Sequence, residues 1–265
     1  MSYPKKDFKA KTPSGDDTSW NGVASWYDDL LEKDANTYQA SLILPNVLRL
    51  LDLKKGEKVL DLACGQGFFS REFFKVGASV TGVDLSPKLI DLAREHSPKE
   101  IRFAVSPADN VKSLESGYFD AAVCILAIQN IKNVAGVFSE CSRLLKVAGR
   151  LVLVMNHPAF RIPQRSAWGI DQNKKIQYRR VDEYISESVS EIKMQPGLGE
   201  SSVTTSSFHH PLQFYFKALS KAGFSVSRLE EWTSNKQSQP GPNANIENKA
   251  RKEFPLFLAL EILKR

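Results

Sequence analysis

The sequence predicts an α/β fold in which helices cover both faces of a mostly parallel sheet. From residue 58 onward, short apolar segments alternate with amphipathic ones, which is the pattern of strand–helix–strand units. The predicted strands are apolar almost throughout, as expected of strands that are buried on both faces. The length of 265 residues suits one large domain with a modest insertion.

Seven segments are predicted to be strands because they are short, apolar and bounded by turn-forming or polar residues. They are residues 59–63, 79–84, 101–105, 119–126, 149–155, 224–229 and 254–263. Helices are predicted from the spacing of apolar residues at 36–53, 68–76, 134–145 and 211–222. A further helix is expected after Ser86, a favoured N-cap residue that is followed by Pro87.

Three segments have no regular apolar period. Residues 1–19 are polar, which predicts a disordered tail before a domain formed by residues 20–265. Residues 157–207 follow the fifth strand and are too long for a plain loop, so we expect an inserted lid or substrate cap. Residues 234–250 are polar and contain a Pro-Gly-Pro sequence, which predicts a loop.

Composition excludes several classes of protein. No apolar run approaches the ~18 residues that span a bilayer, and the first residues show no secretory signal. Cys64, Cys124 and Cys141 have neither a disulfide nor a metal-ligand spacing, so we expect reduced packing residues, no metal site and a cytoplasmic protein. The net charge of +6 is compatible with a nucleic-acid partner, but the basic residues are scattered, which is more typical of a solvated surface.

The strongest motif is Asp61-Leu62-Ala63-Cys64-Gly65-Gln66-Gly67, which joins the first strand to a helix. Glycine allows a tight turn and lets a ligand approach the backbone, and ligands of such sheets bind beyond the carboxyl ends of the strands. Asp84 ends the second strand, where a carboxylate can accept hydrogen bonds from both hydroxyls of a ribose. These features predict a cofactor that contains a nucleoside.

Two details favour S-adenosyl-L-methionine over a dinucleotide. A dinucleotide fingerprint has a third glycine three residues after the second, whereas Phe68, Phe69 and Ser70 follow Gly67. Asp61 lies before the glycines, and a carboxylate there suits a ligand with a cationic amine and no pyrophosphate.

With these motifs, residues 59–155 resemble the class I, Rossmann-like methyltransferases, in particular the type 11-like subgroup that acts on small molecules. The resemblance implies that Tyr27 lies over the methionine part of the cofactor and that Asp61, Ala63, Gly65, Gln66 and Gly67 of the first loop contact the cofactor. It implies contacts with the ribose from Asp84 and Leu85, and with the adenine from Ala108, Asp109 and Asn110. Ile125 and Leu126 are expected beneath the cofactor. The sequence departs from the family at Phe69, where glycine or alanine is common, and at Gln129-Asn130, where many relatives have two histidines.

Two histidines are candidates for a general base. His157 follows the fifth strand, and His210 precedes the helix predicted at 211–222. Each is equally compatible with an ordinary surface or helix-capping role. A base is required only if the acceptor is a hydroxyl or a carbon acid, because the sulfonium already activates the methyl group.

The predicted function is therefore S-adenosyl-L-methionine-dependent methyl transfer to a small-molecule acceptor. Two alternatives stay open. One is an RNA or protein methyltransferase, suggested by the net charge of +6. The other is a catalytically inactive module that only binds the cofactor. The sequence does not indicate the oligomeric state or the methylated atom.

Overall fold

The computed structural model describes residues 19–33, 36–195 and 201–265. The strands in this part of the chain are β1 (Lys58–Leu62), β2 (Ser79–Asp84), β3 (Arg102–Val105), β4 (Phe119–Ile125), β5 (Leu145–Asn156), β6 (Ser166–Asp171), β7 (Ile176–Val181), β8 (Ser188–Lys193), β9 (Thr204–His209), β10 (Phe224–Trp232) and β11 (Phe257–Lys264). The α-helices are α1 (Ala24–Lys33), α2 (Leu44–Leu51), α3 (Phe68–Lys75), α4 (Pro87–His96), α5 (Val134–Leu144), α6 (Leu212–Lys221) and α7 (Ala244–Glu253). Shorter helical turns lie at Ser19–Val23, Gln39–Ile43 and Ile128–Asn130. None of these described helices is long and apolar enough to cross a bilayer.

Seven strands form one sheet in the order β3-β2-β1-β4-β5-β11-β10. Strands β1 to β5 are parallel to one another, and β11 is antiparallel to both β5 and β10. The predicted seven-stranded, mostly parallel, Rossmann-like sheet is confirmed. The strand order reverses between β1 and β4, and clefts open beyond the carboxyl ends of the strands at such a switch point.

Side chains of successive strand residues enter two separate cores, one on each face of the sheet. On β5, Leu151 and Leu153 pack in the core that includes residues of α5 and α6. Val152 and Val154 pack in the opposite core, with residues of α2, α3 and α4. This alternation explains why the central strands are apolar throughout, because both of their faces are buried.

The helix starts and ends agree with local chemistry where the sequence has a strong signal. Ser86 is the N-cap of α4, as predicted, and its Oγ accepts a hydrogen bond from the Leu89 N–H at 3.2 Å. The loop predicted at 234–250 is wrong in its second half, because α7 begins at Ala244. Good helix formers follow the Pro-Gly-Pro turn, but only Ala250 of α7 is buried, so the helix has no apolar stripe that a sequence pattern would reveal.

The segment predicted as an inserted cap forms two β-hairpins outside the main sheet. Strands β6 and β7 pair antiparallel, as do β8 and β9. Most residues of β6 and β7 are half-buried or exposed, so their sequences lack the apolar alternation of a strand that covers a core. Residues 196–200 lie outside the described part of the chain. The predicted disordered tail also lies outside it, except Ser19, which begins the first helical turn.

Candidate active site

The loop after β1 is built from residues with left-handed backbone conformations. Ala63 has φ 54°, Gly65 has φ 58° and Gly67 has φ 84°. At Gly67 a side chain would meet a second obstacle, because an added Cβ would lie 3.1 Å from the Ala93 Cβ and 3.1 Å from the Phe103 ring. Both backbone conformation and packing therefore require glycine at this position, which lets the loop pass closely over α4 and β3.

Asp84, at the end of β2, holds this loop in place. Its Oδ2 accepts a hydrogen bond from the Gly65 N–H at 2.9 Å, and its Oδ1 accepts one from the Ser86 N–H at 2.8 Å. Burial raises the pKa of Asp84, and these backbone hydrogen bonds oppose the rise. Each carboxylate oxygen has a further lone pair, so Asp84 can still accept hydrogen bonds from a ligand.

Asp61 is a buried carboxylic acid beneath the same loop. The residue is 2% exposed, and the Ser70 Oγ donates a hydrogen bond to its Oδ2 at 2.6 Å. Burial raises the pKa of Asp61 to about 7, and the nearby charge of Asp84 adds to the rise. Asp61 is thus poised to ionise when a cation is placed beside it.

Helix α1 lies over the loop and forms the outer wall of a cavity. Tyr27 and Leu31 line this cavity from α1, opposite Asp61, Gly65 and Ile125. The Tyr27 ring is close enough that an added Cβ at Gly65 would lie 3.4 Å from it. The predicted aromatic cover and the predicted glycine loop are therefore in contact.

Polar contacts fasten α1 to the rest of the site. Glu32 forms an ion pair with Arg71 of α3 and accepts a hydrogen bond from the Gln66 Nε2 at 3.2 Å. Asp28 lies 3.2 Å from the His96 Nδ1 of α4. Gln66 is completely buried, and its side chain accepts a hydrogen bond from Arg71 at 3.0 Å.

The residues predicted at the adenine lie farther along the same edge. Ala108 is buried, and the Asp109 Oδ2 accepts a hydrogen bond from the Asn133 Nδ2 at 2.8 Å, while Asn110 is exposed. Asn133 is the N-cap of α5, so Asp109 also orients a helix cap. The remaining predicted contacts, Leu85 and Leu126, are half-buried next to Asp84 and Ile125 respectively.

His157 is held by the turn that follows β5. Its Nδ1 accepts a hydrogen bond from the Ala159 N–H at 3.2 Å, so the proton lies on Nε2, which is 2.7 Å from the Glu231 Oε1. Burial lowers the pKa of His157 more than Glu231 raises it. Both ring nitrogens of His157 therefore form hydrogen bonds, which gives the residue a structural role. To act as a base, His157 would have to lose the hydrogen bond that its Nδ1 accepts.

His210 has different surroundings. The ring stacks on Phe214 with centroids 4.0 Å apart. Glu187 Oε2 lies 3.2 Å from its Nδ1 but outside hydrogen-bonding geometry, and neither ring nitrogen has a hydrogen-bond partner among the described residues. Burial lowers the pKa of His210, so the imidazole is neutral near neutral pH and can accept a proton.

His210 lines a second depression, which we call the polar cleft. Its polar lining residues include Gln129, Asn130, Asn156, Arg161, Ser207, His209 and His210. Gln129 lies four residues after Ile125, which ends β4 and lines the cavity at the loop. Asn156 ends β5, which pairs with β4. The cavity and the polar cleft therefore open at the same edge of the sheet.

Comparison with known proteins identifies the domain. Residues 60–153 match the family model described as a methyltransferase domain. A ubiquinone biosynthesis O-methyltransferase of Xanthomonas oryzae is 34% identical over 129 residues, which are 45% of this chain and 54% of that protein. The chain thus spans about half the length of the curated relatives it matches. It contains a class I S-adenosyl-L-methionine-dependent methyltransferase domain.

Solved structures agree with this methyltransferase fold. An S-adenosylmethionine-dependent methyltransferase from Mesorhizobium loti superposes with a TM-score of 0.68 at 24% identity, covering 86% of this chain and 99% of that one. A geranyl diphosphate C-methyltransferase from Streptomyces coelicolor, bound to S-adenosyl-L-homocysteine, superposes with a TM-score of 0.56 at 13% identity, covering 94% and 85%. Both likenesses concern the fold alone.

The residues of the methyltransferase domain fit S-adenosyl-L-methionine. Gly65 presents no side chain to the cavity, and Tyr27 of α1 lines the same cavity. Asp61 offers a buried carboxylate to an amine, and Asp84 offers one to ribose hydroxyls. The individual contacts of these residues with the cofactor stay predictions.

Some features of the methyltransferase domain had no sequence signal that singled them out. Ser70 and Arg71 look like ordinary helix residues but contact Asp61 and Glu32. Arg161 lies in a segment of irregular sequence and reaches the polar cleft.

In the described part of the chain, one group of possible metal ligands comes together, formed by Asp28, Glu32 and His96. Glu32 joins α1 to α3 through its ion pair with Arg71, and Asp28 lies 3.2 Å from His96 of α4. The expectation of no metal site stays a prediction.

Proposed function

We propose that the protein transfers a methyl group from S-adenosyl-L-methionine to a small-molecule acceptor that binds in the polar cleft. One observation carries the proposal. The cavity at the glycine loop and the polar cleft share the end of β4, with Ile125 in the cavity and Gln129 in the cleft. A cofactor and an acceptor in these two places would be neighbours, as methyl transfer requires.

The protein's contribution would be binding and alignment. The bound cofactor supplies an activated methyl group. Asp61 would pair with its amine, Asp84 would accept hydrogen bonds from its ribose, and Asp109 lies where the adenine is expected. Tyr27 and Leu31 of α1 would exclude water from the site, which favours a reaction in which charge disperses.

His210 is the better candidate for a general base if the acceptor is a hydroxyl or a carbon acid. It lines the polar cleft, its pKa is lowered, and its ring nitrogens have no hydrogen-bond partner among the described residues. His157 is the weaker candidate, because Ala159 and Glu231 engage both of its nitrogens.

The polar cleft also favours a small molecule over RNA or protein. Ligand pockets for small molecules combine apolar walls with a few convergent polar groups, and here Ile192, Phe208 and Tyr215 alternate with the polar lining. The name of the Xanthomonas relative likewise indicates a small acceptor. The free cysteines Cys64, Cys124 and Cys141 support a reducing, cytoplasmic setting.

Transfer of a labelled methyl group tests the proposal. Purified protein is incubated with methyl-labelled S-adenosyl-L-methionine and a cell extract, and the small-molecule, RNA and protein fractions are then counted separately. We expect label in the small molecules, lost in Asp84→Asn and kept in Asp91→Asn, which changes an exposed residue of α4. Label in RNA or protein would support that alternative instead. Cofactor binding without any labelled product would indicate an inactive module.

A further inference from the structure

The polar cleft contains a positive charge without a negative partner. Arg161 lines the cleft, and no carboxylate among the described residues forms an ion pair with its guanidinium. Surrounding protein atoms displace water and lower the pKa of Arg161, with Tyr38 opposing this weakly. The residue as a whole remains exposed, so a ligand in the cleft can reach it. A charge that is partly desolvated and unpaired is costly unless a counter-charge binds.

A second guanidinium increases this need for a negative charge. Arg179 donates hydrogen bonds to the Phe160 carbonyl oxygen at 2.7 Å and to the Ser166 Oγ at 2.8 Å, and it lies 5.0 Å from the Trp168 ring. These partners are all neutral. Burial lowers the pKa of Arg179, and the charge of Arg161 lowers it further, so the two cations repel each other.

The rest of the lining presents unused hydrogen-bonding groups. Gln129 Oε1 and both ring nitrogens of His210 are buried without hydrogen-bond partners in the described part of the chain. Buried polar groups are normally paired, so these atoms indicate a ligand. None of the described lining residues is Asp or Glu. Glu187 and Glu231 lie against His210 and His157, at 3.2 and 2.7 Å from a ring nitrogen, and not against Arg161.

We propose that the methyl acceptor is an anion whose carboxylate or phosphate group binds Arg161. The planar guanidinium matches both groups with two parallel hydrogen bonds, and the field of Arg179 would add to the attraction. Gln129 and His210 would then contact the rest of the acceptor. This inference rests on the proposed function, because it assigns a substrate class to the same cleft.

Matched pairs of compounds test the inference without knowledge of the acceptor. The Tm of the protein is measured in the presence of S-adenosyl-L-homocysteine and one further compound. Benzoate is compared with neutral benzamide, and phenyl phosphate is compared with neutral phenol. We expect an anionic member to raise the Tm of the wild type more than its neutral partner does. A response to benzoate would identify a carboxylate acceptor, and a response to phenyl phosphate would identify a phosphate.

Three variants locate the effect. Arg161→Gln should weaken binding of the anion at least tenfold, and Arg161→Lys should retain part of it. Arg180→Gln removes the same charge from an exposed residue of β7 that pairs with Asp182, and it should respond like the wild type. The inference is overturned if the wild type does not distinguish anions from their neutral partners, or if Arg161→Gln responds fully. Calorimetry with S-adenosyl-L-homocysteine keeps the two proposals apart, since failure to bind it contradicts the proposed function itself.

Discussion

Asp84 Oδ2 accepts a hydrogen bond from the Gly65 N–H at 2.9 Å, so the acid that ends β2 also fixes the loop that follows β1. The two strands are parallel neighbours, with Leu62 opposite Val83. One side chain therefore couples the shape of the glycine loop to the place expected for the ribose. A change at Asp84 should therefore weaken cofactor binding in two ways, by removing the contact with the ribose and by loosening the glycine loop.

Asp84→Asn should weaken S-adenosyl-L-homocysteine binding by about one to two orders of magnitude. A hydrogen bond to a charged group contributes ~1.5–3 kcal/mol, and ~1.4 kcal/mol corresponds to a tenfold change in affinity. Titration calorimetry gives the dissociation constant directly. Asp91→Asn serves as the control, because Asp91 pairs with Arg94 on the exposed side of α4. Equal affinity in the two variants would remove Asp84 from the cofactor site.

Cofactor affinity should also depend on the ionisation of Asp61. Its pKa is about 7 in the folded protein, so lowering the pH from 8 to 6 protonates the carboxylate that would pair with the amine. We expect calorimetry to show weaker S-adenosyl-L-homocysteine binding at the lower pH. Asp61→Asn should bind weakly and lose most of this pH dependence. A wild type whose affinity is constant over this range would contradict the assignment.

The same raised pKa predicts the opposite trend for stability without cofactor. Because folding disfavours ionised Asp61, its contribution to the free energy of unfolding is greatest below its unfolded pKa of ~4. That contribution is lost as the pH rises towards about 7. Denaturant unfolding of the wild type and Asp61→Asn at several pH values isolates it, since other titrating groups are common to both proteins.

The residues of the expected cofactor site could be chosen from the sequence because their signals are local. The strands that end at Leu62 and Asp84 are mostly buried, so their apolar residues alone predict them as strands. Parallel strands place their carboxyl ends at one edge, which is why Gly65 and Asp84 were expected together. The hydrogen bond between them was not predictable, because it depends on the left-handed backbone of the loop.

The residues of the proposed acceptor site could not be predicted as a group, because they come together only through tertiary structure. Gln129, Arg161 and His210 are far apart in sequence, and of these three only His210 was a candidate for a role at the acceptor. Strand β6 has no buried residue, and the buried residues of β9, which are Thr205, Ser207 and His209, are polar, so neither hairpin has an apolar period in its sequence. The polar cleft became recognisable only from the structure, through buried polar atoms that have no hydrogen-bond partner among the described residues.

Gly67→Ala should destabilise the fold more than Gly56→Ala does. Both glycines have nearly the same φ, 84° at Gly67 and 85° at Gly56, so the strain that this left-handed φ imposes on alanine is similar. An added Cβ has open space at Gly56 but meets Ala93 and Phe103 at Gly67. Overpacking of this kind costs ~1–3 kcal/mol, and chemical denaturation should show that difference between the variants. Equal stability losses would mean that conformation alone requires glycine at position 67.

His157→Asn should lower the free energy of unfolding by ~1–3 kcal/mol, the cost of leaving a buried polar group unsatisfied. The shorter asparagine side chain cannot reach both partners, so either the Ala159 N–H loses its acceptor or Glu231 loses its donor. S-adenosyl-L-homocysteine binding should stay unchanged, because His157 does not line the cavity at the glycine loop. Glu231→Gln is the matched control: an amide oxygen can still accept the His157 Nε2 proton, so a smaller loss of stability is expected. If His157→Asn is as stable as the wild type, the histidine does not stabilise the turn after β5, and this result would favour a role in catalysis instead.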